Sequence, residues 1–138
     1  MPALDGMRIL DLTQYEAGPS CTQALAWMGA DVVKVEAPGT GDPGRWIAGG
    51  DDYFWNWNLN KRSVVLNLRN PEGRQLLLDL LPKFDVVMEN YAPGVTERLG
   101  LDYETFKSVN PSIIYASVKG YGSDGPYANY LAYDMCAQ

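Results

Sequence analysis

Short apolar runs alternate with amphipathic stretches along most of the chain, and this alternation points to a fold class. "MRILDL" (7–12), "DVVKVE" (31–36), "RSVVLNL" (62–68), "DVVMEN" (85–90) and "SIIYASV" (112–118) are brief and rich in β-branched residues, so they predict five strands. Between the first two, "SCTQALAWMGA" (20–30) predicts a helix, with Ser20 as its N-cap and Gly29 as its stop. Asn70-Pro71-Glu72 supplies a cap, a first-position proline and a first-turn acid for a second helix, whose Leu76, Leu77, Leu80 and Leu81 share one face. Shorter helical turns fall near 93–99 and 102–109. Strands two, four and five are nearly unbroken apolar runs, the pattern of a parallel sheet covered on both faces. Strands separated by helices imply right-handed crossovers. The pattern therefore predicts an open, mostly parallel α/β sheet.

One segment departs from that pattern. Residues 37–61, "APGTGDPGRWIAGGDDYFWNWNLNK", show neither period, are rich in glycine and aromatics, and are long for a plain connection. Such a loop is either functional or mobile, or it is a surface loop whose Trp and Phe cover a sheet edge.

Composition narrows the function classes. A length of 138 residues suits one domain with a real core. A formal net charge of -6 argues against general binding to nucleic acid or an anionic membrane, both of which need a basic surface. An anionic small molecule needs only a few placed cations and stays open. No apolar run is long enough to span a bilayer, and "MPALDGMRIL" lacks a basic-then-apolar signal pattern. Cys21 and Cys136 are far apart and form no C-x-x-C, as expected for reduced thiols in a cytoplasmic protein. Histidine is absent, so a histidine base or histidine metal ligand cannot come from this chain, and no metal site is expected.

In open α/β sheets ligands bind beyond the carboxyl ends of the strands. That rule selects "TQYEAGP" (13–19), "EAPGTGDPGR" (36–45), "ENYAPG" (89–94) and "KGYGSDGPYANYLAY" (119–133). Glu36 lies 18 residues after Gly18, near the place of a dinucleotide fold's ribose-binding acid. The turn itself argues otherwise: it has one glycine, with Tyr15, Glu16 and Pro19 where a pyrophosphate needs close backbone approach. Arg69, Arg98 and Lys119 follow strands and are either phosphate contacts or solvated cations. Lys61 and Arg62 precede strand three and are expected at the opposite edge. Asp11, inside strand one, needs buried partners, and Glu89 is placed to line the site. Cys21 sits near a helix N-terminus without a histidine to activate it, and is expected as a small buried core residue.

Taken together, "LDGMRILDLTQYEAGPSCTQALAWMGADVVKVEAPGTGDPGR", "NKRSVVLNLRNPEGR", "DVVMENYAPGVTERLGLDY" and "NPSIIYASVKGYGSDGPYANYLAYDMCAQ" resemble the family III CoA-transferases, the superfamily that also takes in α-methylacyl-CoA racemase. The resemblance covers essentially the whole chain, with its motifs in order. It implies that residues 1–138 are a Rossmann-like, CoA-binding N-terminal domain, with helices on both faces of the sheet, within a larger subunit that interlocks with a second copy. By position, it implies CoA contacts at Gln14, Glu16 and Ala17; at Leu66 and Arg69; at Asn90, Tyr91 and Ala92; at Arg98 and Leu99; and at Tyr133 beside the thioester. Glu16 and Tyr133 would support catalysis, and the nucleophilic aspartate would lie past residue 138. No permanently bound cofactor is implied; coenzyme A and acyl-CoA enter as substrates, with a small carboxylic acid as acceptor. Two departures bear on the substrate: Glu16 replaces the formyl-CoA enzyme's glutamine, and Ala37-Pro38 replace a basic residue after strand two. The racemase branch would carry a histidine where this chain has Tyr133, which favours transfer. A non-catalytic CoA-binding or interaction module on the same scaffold is the alternative from another class.

Overall fold

Five strands, β1 (Arg8–Asp11), β2 (Asp31–Glu36), β3 (Arg62–Val65), β4 (Val86–Glu89) and β5 (Ile114–Ser117), form one sheet in the order β3-β2-β1-β4-β5, with every pairing parallel. The computed structural model describes residues 1–47 and 51–138. From β1 the chain builds outward through β2 and β3, then returns to place β4 on the other side of β1. The boundary between β1 and β4 is therefore the topological switch point, where open α/β sheets form their ligand crevice.

Alternate residues of β1, β2 and β4 feed two cores. On one face Ile9, Val32 and Val86 pack with Ala26 of α1 (Ala17–Trp27), and α2 (Asp51–Asn58) packs beside α1. On the other face Leu10, Val35 and Val87 meet Leu77 of α3 (Pro71–Leu80) and Phe106 of α5 (Tyr103–Val109), with Leu99 of the short α4 (Val95–Leu99) packed alongside. A last helical turn, α6 (Asp134–Ala137), is exposed. No helix among the described residues is long and apolar enough to cross a membrane.

The predicted stops and starts have physical counterparts. Gly29, at φ +105°, ends α1 in a Schellman arrangement, with its N–H on Ala26 O and the Ala30 N–H on Leu25 O, both at 3.1 Å. The Asn70 side chain accepts from the Glu72 N–H at 3.0 Å and caps α3. Ser20, however, is not a cap. The helix starts three residues earlier, at Ala17, and the Ser20 hydroxyl donates back to Ala17 O at 3.1 Å. Pro19 concealed this start, yet a first-turn proline lacks only an N–H that would have had no partner within the helix.

The segment 37–61 also contains more regular structure than its pattern suggested: a 3₁₀ turn at Pro43–Trp46 and the helix α2. Only Phe54 and Asn58 of α2 are buried, one turn apart, so no apolar stripe marks it in the sequence. Residues 48–50 of the segment lie outside the described residues. The expectation that strand five is covered on both faces is overturned. Ile114 stands level with Val86 on the α1 face, yet it is 58% exposed, because no described element covers the outer edge beyond β4 there. Its apolar run reflects strand propensity at an edge.

Candidate functional site

At the switch point the two strand exits are tied together by one side chain. The Gln14 N–H donates to Asn90 Oδ1 at 2.7 Å, and Asn90 Nδ2 donates to Gln14 O at 2.8 Å. The turn's single glycine has a different task. A Cβ on Gly18 would lie 2.4 Å from Thr13 Cβ, so α1 sits directly against the exit of β1. This is the helix-to-strand contact that the last glycine of a dinucleotide fingerprint provides, without the two glycines that admit a pyrophosphate.

Beside this junction lies a buried network of charges. Asp11 accepts from Thr13 N at 2.9 Å, Thr22 Oγ1 at 2.7 Å and Lys61 Nζ at 3.0 Å. Burial pushes its carboxyl upward, but Lys34, Lys61 and the two threonine hydroxyls together hold it below the ordinary aspartate range. Lys61 also donates to Pro19 O at 2.9 Å and Asn58 Oδ1 at 2.8 Å, so its ammonium fastens β1, α1 and α2 at one point. Its burial brings it down to about 8. The sequence placed Lys61 at the far edge; the register explains the difference. Ser63 stands level with Lys34, and Lys34 with Asp11, so Lys61 begins only two residues below that level and its long stem spans the gap.

The neighbouring acids are equally engaged. Glu36 receives Arg45 Nε at 2.8 Å, Arg45 Nη2 at 2.9 Å, the Asp42 N–H at 2.9 Å and Ser63 Oγ at 2.7 Å. Burial works to raise it, but these hydrogen bonds prevail and hold it at about 2. Four donors leave this carboxylate no ready capacity for a ribose hydroxyl, which removes the remaining support for a dinucleotide site. Glu89 is likewise internal: it accepts from the Ser117 hydroxyl, Lys119 Nζ at 2.8 Å and the Tyr91 N–H at 2.8 Å. Lys119, weighed as a phosphate contact, pairs with it instead.

Several expected ligand positions remain accessible. Arg69 and Arg98 are exposed and make no ion pair among the described residues. Leu66, Tyr91 and Leu99 are half-buried against one core cluster, and burial foremost pushes the Tyr91 hydroxyl up to about 12. Ala17 and Ala92 are exposed at the openings of the first and third loops, and Glu16 accepts from Tyr53 OH at 3.3 Å. Tyr133 is 70% exposed. Its neighbour Ala132 packs onto Gly120, where a Cβ would fall 1.9 Å from the Ala132 Cβ, so this segment folds back toward the exit of β5. Cys21 is exposed, contrary to expectation. The inward positions of α1 are Gly18, Pro19, Thr22, Gln23 and Ala26, which turns Cys21 outward. Sequence reasoning missed Lys34 and Asp42, although a lysine inside the apolar strand "DVVKVE" is a signal that a buried partner is required.

Fold and rim together define a Rossmann-like α/β domain whose switch point lies between β1 and β4 and whose dinucleotide acid is used internally. The chain belongs to CoA-transferase family III, whose sequence profile matches residues 4–138. It is 48% identical over 141 residues to a formyl-CoA:oxalate CoA-transferase of Bradyrhizobium sp. (strain ORS 278), covering 99% of this chain and 33% of that protein. It is 49% identical over 148 residues to an acyl-CoA transferase of Fusarium pseudograminearum (strain CS3096), covering 98% and 32% respectively. The crystal structure of a CAIB/BAIF family protein from Brucella suis superposes with a TM-score of 0.92 at 40% identity, over 98% of this chain and 38% of that one. The chain thus spans about a third of the length of the curated relatives it matches.

Proposed function

We propose that this chain is the acyl-CoA-binding portion of an enzyme that moves coenzyme A from an acyl-CoA to a small carboxylic acid. The observation that carries the proposal is the junction of the β1 and β4 exits at the switch point, tied by the Gln14–Asn90 pair in a chain of this family. The accessible guanidinium groups of Arg69 and Arg98 suit phosphate oxygens, which they can meet in bidentate fashion. Leu66, Tyr91 and Leu99 offer apolar surface for the adenine and the pantetheine arm. Tyr133 is assigned to the thioester end.

In the proposed reaction a carboxylate attacks the thioester carbonyl and the CoA thiolate leaves, giving a mixed anhydride. The thiolate then attacks the enzyme's own carbonyl, which releases the donor acid and leaves an enzyme–CoA thioester. The acceptor carboxylate takes its place in the same two moves run in reverse. Dividing one acyl transfer into such steps is the purpose of covalent catalysis. The nucleophile is assigned to an aspartate outside residues 1–138, and the working enzyme to an interlocked homodimer in the cytoplasm.

Calorimetry with CoA and acyl-CoA on the complete gene product tests the binding claim, and exchange of label between acyl-CoA and free acid tests the transfer. Absence of both defeats the proposal. Arg69→Ala is expected to weaken CoA binding by about 1–3 kcal/mol through loss of a charge-assisted bond. Solvent deuterium entering a 2-methylacyl-CoA would point to racemisation instead.

A further inference from the structure

The first loop is held in an unusual way. Tyr15 has φ +65°, a left-handed conformation that a bulky residue adopts only when its surroundings impose it. Three successive backbone units around it are gripped by side chains from β2, from the loop after β2 and from the exit of β4. Lys34 Nζ donates to Thr13 O at 2.7 Å, Asn90 holds both polar groups of Gln14, and Asp42 Oδ1 accepts from the Tyr15 N–H at 3.1 Å. Asp42 is itself fixed. Its Oδ1 accepts from Gly44 N at 2.7 Å, and its Oδ2 lies 2.7 Å from Lys34 Nζ in an ion pair whose side chains are 1% and 2% exposed. Both side chains are almost wholly buried, so neither is placed to touch a ligand.

We propose that Asp42, braced by Lys34, is a positioning residue that sets the Gln14–Ala17 loop in its acyl-CoA-receiving shape. The proposal rests on the rim at the switch point being the acyl-CoA site. A buried acceptor fixed by two amides and an ion pair imposes a strained turn before the ligand arrives, so binding does not have to order it. Asn90 supplies the same restraint from the β4 side, which makes the loop a bridge fastened at both banks of the switch point.

Removing Asp42 alone strands the Lys34 charge, so the test uses paired variants. Lys34→Met/Asp42→Asn keeps an acceptor for the Tyr15 N–H, whereas Lys34→Met/Asp42→Leu is of similar shape and keeps none. In the complete gene product, with the unsubstituted parent as the binding control, the Leu pair is expected to show a KM for acyl-CoA about tenfold or more above that of the Asn pair, with kcat and the acceptor's KM little changed between them. Exchange of the Tyr15 amide, read by NMR, should be protected in the Asn pair and fast in the Leu pair. Equal KM values in two folded pairs that differ at Tyr15 would overturn the positioning role. Equal amide protection would overturn the restraint itself. Failure of the parent to bind CoA would instead defeat the functional reading, while the amide readout still judges the restraint.

Discussion

The loop leaving β1 and the segment leaving β5 reach the same rim and are secured by opposite means. Around the first, Asp11, Lys34, Asp42 and Lys61 are buried and answered by opposite charges, and their hydrogen bonds hold a backbone that includes a strained tyrosine. Around the second, Tyr121, Tyr127 and Tyr130 lean on one another with ring centroids 5.3–6.5 Å apart, while Tyr127, Tyr130, Leu131, Tyr133 and Met135 are largely open to solvent. Ring pairs of this kind contribute about 0.5–1.5 kcal/mol each. Removing one member of a buried charge pair costs several times that amount. The rim therefore combines a preformed wall of buried charge pairs with a lightly held wall of exposed aromatics.

The most severe way to break this comparison is Lys61→Met. It leaves Asp11 buried with one fewer counter-charge and frees both Pro19 O and Asn58, so a loss of about 3–5 kcal/mol in urea unfolding is expected. A loss below about 1 kcal/mol would mean that the wall is no firmer than the tail. Gly18→Ala is next: its methyl would collide with Thr13 and force α1 off the β1 exit, at a cost of about 1–3 kcal/mol read as a lowered unfolding midpoint.

Acid provides a third probe. Glu36 is held at about 2 against an ordinary value of 4.5, so the unfolded chain takes up its proton first. Its contribution is complete above pH 4.5 and disappears as pH falls toward 2. Stability measured across that window should decline, and less steeply in Glu36→Gln; part of the decline must persist, because Asp11 is shifted in the same direction. Identical slopes in the two proteins would contradict the assignment. The smallest effect belongs to the other wall. Tyr133→Ala should change stability by no more than about 0.5 kcal/mol, and a larger loss would show that the tail is fastened by more than its visible contacts.

Much of the architecture was legible locally. "DVVKVE" and the Asn70-Pro71-Glu72 start carry their own propensities and caps, and Gly29 marks a stop because a left-handed terminus favours glycine. α2 was not legible. Its aromatics are mediocre helix formers, and its two inward residues become meaningful only once Gln23 of α1 reaches across, donating to Asn56 O and accepting from Leu59 N, both at 2.9 Å. In the site, Gln14 and Asn90 came from the family resemblance, on loops that follow strands one and four. That they bind each other follows from strand order, which brings positions 76 apart in sequence into contact.

By itself the sequence determined the parallel α/β class, the helix stop at Gly29 and the helix start at Asn70, and which loops gather at the carboxyl edge, since all of these depend on neighbours within a few residues. Only the tertiary structure decided that Lys61 faces Asp11, that Lys119 and Glu36 are already partnered, and that Arg69 and Arg98 have no ion pair among the described residues. The physical reason is that a charge's role depends on what lies within a few ångströms of it and on how much water remains there. Both are properties of register and strand order, and neither can be read from spacing along the chain.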